Sequence, residues 1–238
     1  MNAAADGRAV SGSNGSDDKR AYGTAETKGA DRLVKVLILN GSPRANGNTA
    51  AAIREMVGVF EAEGVGTEIV QIGGRDVRGC IACGSCKKNG KCAFDDVVNE
   101  IASKFREADG LVLASPVYYA SANGALIACL DRLFFSASFD KTMKVGASVV
   151  AARRGGCSAA FDGLNKYFML SGMPVASSQY WNSVHGMAPG EAAEDLEGMQ
   201  TMRTLARNMT FLMRSIALGK EKYGLPEKEP RQATNFIR

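Results

Sequence analysis

The chain has 238 residues, of which 45% are hydrophobic and 23% charged, with a formal net charge of +4. That is enough apolar material for one domain of ordinary size, and a charge too weak, with much of the basic excess near the C-terminus, to argue for nucleic acid. No apolar run reaches the ~18 residues of a membrane span. The N-terminus also lacks the apolar core of a signal peptide, so a cytoplasmic protein with reduced thiols is expected.

Residues 1–31 are rich in Ala, Gly, Ser, Asp and Lys and show no apolar period, which predicts a flexible tail. The folded domain is expected over 32–218. It opens with LVKVLIL (33–39), a short apolar run with β-branched residues, as in a strand buried on both faces. A helix follows over about 49–63, with Ile53, Met56, Val57 and Phe60 at helical spacing. TEIVQI (67–72) is the second strand, and a cysteine-rich loop occupies 79–94 before a helix over 95–106. GLVLAS (110–115) is the third strand, leading into a helix at 122–135 with Leu126, Cys129, Leu130 and Leu133 on one face.

VGASVVA (145–151) is the fourth strand. A helix follows at 157–171, with Phe161, Leu164, Phe168 and Met169 as its stripe, and then a fifth strand at 173–181. A long helix over 191–218 turns Leu196, Met199, Leu205, Met209, Leu212 and Ile216 inward. The charged, Pro-containing segment 219–238 reads as an extended tail. Strict alternation of strand and helix implies an α/β fold. Five strands suggest a doubly wound parallel sheet of flavodoxin-like order 2-1-3-4-5, with a ligand at the switch point beside the first strand.

Three loops at strand ends carry chemistry. The first, NGSPRANGNT (40–49), offers Ser42, Arg44, Asn46, Asn48 and Thr49 next to a helix N-terminus, where backbone N–H groups and the helix dipole favour a phosphate. It contains neither G-x-x-x-x-G-K-[ST] nor G-x-G-x-x-G, which excludes the NTPase P-loop and the Rossmann turn. A plain capped turn would explain Asn48 and Thr49, but not the whole polar loop. The third strand ends at Ser115-Pro116-Val117-Tyr118-Tyr119 and continues to Asn123. The fourth ends at Arg153-Arg154-Gly155-Gly156, where paired glycines let backbone approach a flat ligand. Strand-end packing would also account for the tyrosines, and a solvated basic turn for the arginines. His185 is the only histidine and a possible pocket residue.

GSPR-x-x-GNT after a first strand resembles the FMN-phosphate loop of the NADPH-dependent FMN reductases and multimeric flavodoxin-like quinone reductases. SPVYYASANGALIACLDR (115–132), AARRGG (151–156), YWNSVHG (180–186) and DLEGMQTMRTLARNM (195–209) resemble the same family, so the likeness spans about 33–218. It implies FMN as cofactor, with its phosphate at Ser42, Arg44, Asn46, Asn48 and Thr49. Its ring would lie among Pro116, Val117, Tyr118, Asn123, Arg153, Arg154, Gly155 and Gly156. The flavin N5 rather than a protein residue would then carry hydride. The resemblance also implies NAD(P)H as co-substrate and a homo-oligomer, dimer or tetramer.

Cys80-x-x-Cys83-x-x-Cys86, followed by Cys92, places four of the six cysteines in one loop. Compact C-x₂-C-x₂-C spacing lets successive thiolates wrap one cubane. It resembles the iron–sulfur flavoproteins, the branch of this superfamily that joins FMN to a [4Fe-4S] cluster, and so implies Cys80, Cys83, Cys86 and Cys92 as ligands. Free thiols in a packed insertion, a zinc site and a redox-active thiol pair stay open alternatives. Cys129 is expected in the core, and Cys157 in a core or capping role. The leading function is an FMN-dependent NAD(P)H oxidoreductase delivering electrons to a quinone, a nitro or azo compound, or free flavin. The alternative is an electron carrier fed by a ferredoxin-like donor, and a thiol-based redox sensor is a third.

Overall fold

The computed structural model describes residues 33–230 and 232–234. The tail expected over 1–31 lies outside them. Five strands form a parallel sheet: β1 (Lys35–Asn40), β2 (Gly66–Gln71), β3 (Gly110–Tyr118), β5 (Val145–Ala152) and β6 (Ser183–His185). Their order is β2-β1-β3-β5-β6, which is the expected 2-1-3-4-5 once the parallel strands are counted along the chain. The two-residue β4 (Ser121–Ala122) folds back antiparallel on the end of β3.

The apolar runs exist because both sheet faces are covered. Val36 and Ile38 point to one face and Leu37 and Leu39 to the other, all at most 1% exposed. On the first face α1 (Asn48–Ala62) and α6 (Leu196–Tyr223) pack Ile53, Met56, Phe60, Leu205 and Met209 over Ile38, Val112 and Ala147. The second face takes α3 (Val97–Glu107), α4 (Gly124–Ser136) and α5 (Cys157–Leu170). Phe105, Leu130, Leu133 and Phe168 close that side over Leu37, Leu111 and Leu113. Register is set at the centre, where Ile38 lies between Ile69 and Val112, and Val112 opposite Ala147.

Four expectations need correction. The fifth strand is not continuous over 173–181. Val175 makes a single bridge to Gly146, and the ladder resumes only at Ser183–His185 against Val150–Ala152. The Ser178 hydroxyl accepts from the Tyr180 N–H and donates to acceptors at Tyr180 and Asn182, a local network that competes with the edge ladder. The C-terminal tail does not begin at 219, because α6 runs through Gly219 to Tyr223 and stops at Gly224. Lys220 and Lys222 complement the dipole of that last turn. Met169 and Leu196 face solvent at 70% and 79% exposure: Met169 turns outward beside the fully buried Phe168, and Leu196 is the first residue of α6, one turn before the buried Met199. No helix among the described residues is long and apolar enough to cross a membrane.

Candidate functional site

The loops leaving β1, β3, β5 and β6 gather at the carboxyl edge of the sheet. The first is held from below. Gly41 N–H donates to Ala114 O at 2.7 Å and Ser42 N–H to Asn40 Oδ1 at 2.9 Å, while the Gln71 amide donates to Ser42 O. Gly73 packs so closely under this loop that a Cβ would sit 2.2 Å from Gly41 O and Ser42 C. Helix α1 then starts at Asn48, and its N-cap, Gly47, provides no side-chain cap. Its first-turn N–H groups are thus offered to an external acceptor, with roughly half a positive charge from the helix dipole behind them.

The residues expected to grip a phosphate divide on inspection. Ser42 is buried, and its hydroxyl is shared with Arg44: it accepts from Arg44 N–H at 3.1 Å and donates to Arg44 O at 3.2 Å. That proton can swing to an anion without leaving a buried donor unpaired. Arg44 and Asn46 are exposed and Thr49 is buried. Asn48 is partly committed elsewhere, because its Oδ1 accepts from Ala192 N–H at 3.0 Å and pins the turn after β6 to the start of α1. The chemistry of this donor set, an uncapped helix start with an adjacent hydroxyl and an exposed guanidinium, fits a phosphate monoester.

The β3 loop is a tight hairpin, Tyr118-Tyr119-Ala120-Ser121, joining β3 to β4. Tyr119 and Ala120 both have positive φ, 49° and 59°, the pairing of a type I′ turn. For residues bearing a side chain this costs on the order of 1–2 kcal/mol each. The hairpin leans on Gly156, whose missing Cβ would stand 3.0 Å from Ala120 Cα and 3.1 Å from Val117 Cγ1. The loops after β3 and β5 thus touch, which brings Val117 beside Gly156. Pro116 and Val117 are half-buried, while Tyr118, Arg153, Arg154 and Gly155 are exposed. Asn123 is the N-cap of α4: its Oδ1 accepts from Ala125 N–H at 2.8 Å and Leu126 N–H at 3.3 Å, so only its amide nitrogen is left for a ligand. Asn123 N–H in turn donates to Ser115 Oγ at 2.9 Å.

His185 and Cys157, set aside in the sequence as pocket and core residues, come together here. Cys157 Sγ is 3.9 Å from His185 Nε2, and His185 Nδ1 is 3.6 Å from Asp195 Oδ2. Burial pushes the Cys157 thiol up, which keeps it protonated. A cleft lined by Lys35, Glu68 and Lys104 lies at the opposite, amino edge of the sheet, where Lys104 pairs with Glu68 and Glu100.

The cysteine loop forms a second site. A short helix, α2 (Ser85–Asn89), stands between Gly84 and Gly90, both left-handed, and Ala82 has φ 53°. Cys80, Cys83, Cys86 and Cys92 are free thiols and line one cavity, together with Phe94 and Arg132. Among the described residues no three His, Cys, Asp or Glu side chains converge on a single ion position. Free thiols ringing one cavity are the donor set a cubane requires.

Arg132, to which sequence reasoning assigns no role, closes this cavity from α4 at 1% exposure. It pairs with both carboxylate oxygens of Asp96 at 2.7 and 2.9 Å. Burial would push the Asp96 carboxyl up, but the hydrogen bonds from Arg132 and Val98 outweigh it and hold the group below the ordinary carboxylate range. A sequence signal existed: Arg132 falls three residues after Cys129 and four before Ser136, inside the buried stripe of α4.

A doubly wound parallel sheet with an uncapped, polar loop after its first strand defines a flavodoxin-like protein. The profile of the NADPH-dependent FMN reductase family matches residues 34–188. An iron-sulfur flavoprotein of Methanocaldococcus jannaschii is 33% identical over 191 residues, covering 77% of this chain and 99% of that one. One from Methanosarcina thermophila is 32% identical over 193 residues, covering 79% and 100%. Among solved structures, RosB with bound 8-demethyl-8-formylriboflavin-5'-phosphate superposes with a TM-score of 0.61 at 19% identity, covering 87% of this chain and 94% of that one, a likeness of fold. The chain belongs to the NADPH-dependent FMN reductase family and is an FMN-binding flavoprotein of that oxidoreductase class.

Proposed function

We propose that this flavoprotein is an oxidoreductase whose cysteine loop holds a [4Fe-4S] cluster, and that electrons entering there leave through FMN to a small acceptor such as a quinone, a nitro or azo compound, or free flavin. The observation that carries the reading is the set of four free cysteines lining one cavity. The likeness to iron-sulfur flavoproteins over nearly their whole length supports it. When bound, the cluster supplies one-electron transfer and FMN converts between one- and two-electron chemistry.

The chain's own residues bind and orient. Ser42, Arg44 and the first-turn N–H groups of Asn48 and Thr49 would hold the phosphate, with Asn46 at the rim. Pro116, Val117, Tyr118 and the Asn123 amide would border one side of the ring. Gly155 and Gly156 would let backbone approach it, and Arg153 and Arg154 would offset negative charge on the reduced ring. Cys80, Cys83, Cys86 and Cys92 would ligate the cluster, with Lys87, Lys88 and Lys91 around it. Ile81 and Phe135 stand exposed beside the cavity, which supports a homo-oligomer closing over the loop.

A second reading has NAD(P)H reduce FMN directly, and the family match favours it. Anaerobic purification, an iron assay and absorbance spectra separate the two. The expected result is a two-banded flavin spectrum with a broad brown shoulder, bleached by reduced ferredoxin. Bleaching by NADPH with no iron present would favour the second reading. Cys83→Ser should lose iron and brown colour while keeping FMN.

A further inference from the structure

We propose that Arg132 is the positioning residue of the cysteine loop, fixing Cys92 and raising the reduction potential of the cluster through hydrogen bonds to that one ligand sulfur. The proposal rests on the cluster reading above. Burying a guanidinium is costly unless its N–H groups are paired. Here they are: Nε and one terminal nitrogen donate to Cys92 Sγ at 3.3 and 3.2 Å. The terminal nitrogens also donate to the two Asp96 oxygens and, at 3.3 Å, to Arg78 O. The Phe94 ring lies 4.9 Å from the guanidinium carbon and shields it from water.

Cys92 is fixed from its backbone as well. Its N–H donates to Asn99 Oδ1 at 3.0 Å, and its carbonyl accepts from Asn99 Nδ2 at 3.1 Å. The Asp96 that orients Arg132 is itself the N-cap of α3, accepting from Val98 N–H at 3.1 Å. A rigid chain therefore runs from the first turn of α3 through Arg132 to one sulfur. The other thiols lack this. Cys80 Sγ accepts only the Ala82 N–H at 3.4 Å, and no donor to Cys83 or Cys86 sulfur is found among the described residues.

The electronic consequence follows from charge. Reduction adds one electron to the cluster. A buried cation donating to a ligand sulfur stabilises the reduced form more than the oxidised one, which moves the potential upward. Lys87, Lys88 and Lys91 are exposed, so solvent screens their share.

The test uses the full chain, loaded anaerobically with iron, sulfide and FMN. Iron per chain, thermal melting and the cluster midpoint potential by EPR-monitored titration are read for wild type, Asp96→Asn, Arg132→Lys and the double variant Arg132→Gln/Asp96→Asn. Asparagine keeps the cap acceptor and one oxygen for the guanidinium, so Asp96→Asn removes the charge of the pair while Arg132 keeps a partner that holds it beside Cys92. We expect Asp96→Asn to keep iron and a potential at or above wild type. The double variant should lose at least tenfold in the reduction equilibrium constant, about 59 mV for one electron, and Arg132→Lys a smaller amount. Loss of iron from the Arg132 variants alone, at a melting temperature no lower than that of Asp96→Asn, also supports the assignment. An unchanged potential, or equal iron loss from Asp96→Asn, overturns it. Pulsed EPR of the wild-type protein with ¹⁵N-arginine needs no variant: guanidinium coupling to the reduced cluster supports the contact, and its absence refutes it. Wild-type protein that takes up no iron defeats the cluster reading itself, and this is visible before any variant is compared.

Discussion

Gly73→Ala tests whether backbone position alone sets FMN retention. The added Cβ would stand 2.2 Å from Gly41 O and Ser42 C, both backbone atoms, so no rotamer change relieves it. The loop would have to retreat by roughly 1 Å to regain van der Waals separation. Gly73 N–H, at 3.2 Å, and Ile72 N–H, at 2.8 Å, are both bonded to Asn40 O, so the shift is transmitted into the phosphate loop rather than absorbed. A hydrogen bond to a charged group is worth about 1.5–3 kcal/mol. Misplacing two of them predicts an FMN Kd weaker by about 100- to 10,000-fold, at about 1.4 kcal/mol per tenfold. Overpacking costs the fold only about 1–3 kcal/mol, so the variant should still melt cooperatively. Titration of the apoprotein with FMN, followed by flavin fluorescence, reads the affinity, and circular dichroism reads the fold. Gly74→Ala is the control, because its Cβ would meet nothing nearer than Pro43 O at 3.9 Å. A folded Gly73→Ala protein with wild-type Kd would refute the reasoning.

Further outcomes follow from the same geometry. Ser42→Ala with Arg44→Ala should weaken FMN binding at least about tenfold through loss of charge-assisted contacts; undiminished affinity by the same titration removes the phosphate assignment. Cys129 is fully buried and its thiol is pushed up to about 12 by burial, so native apoprotein at pH 8 should be alkylated at Cys80 and Cys83 and at Cys129 only after denaturation. Mass spectrometry of the labelled peptides decides this, and early labelling of Cys129 would contradict the core. Asp96 has a native pKa below its unfolded value of about 3.9. Its stabilisation is therefore complete above that unfolded value and disappears as pH falls through the native one. Asp96→Asn should melt below wild type at pH 6, with the gap closing toward pH 3; a gap that stays constant through acid would show that the charge is not its source.

Much of the fold was legible because it is periodic. LVKVLIL and VGASVVA read as doubly buried strands since helices cover both faces, and the stripe of α4 matched its buried side at Leu126, Cys129, Leu130 and Leu133. The edge strand was misread because Ser178 bonds locally in place of the ladder, and the end of α6 because Gly219 looks like a terminator yet lies inside a helix. The site was legible as a set of loops but not as a set of contacts. Asn48 and Asn123 are typical ligand-binding residues, and the structure commits their oxygens to Ala192 and to the start of α4.

The sequence by itself determined the strand–helix alternation, the polar loop after β1 and the clustering of Cys80, Cys83, Cys86 and Cys92, because each is a matter of residue type at short spacing. Tertiary structure alone decided that Gly73 underlies Ser42, that Gly156 receives the β3 hairpin, and that Arg132 reaches Cys92 across forty positions of chain. Such contacts join residues from separate elements. Only the twist and layering of the sheet bring them within hydrogen-bonding reach, and no local period records them.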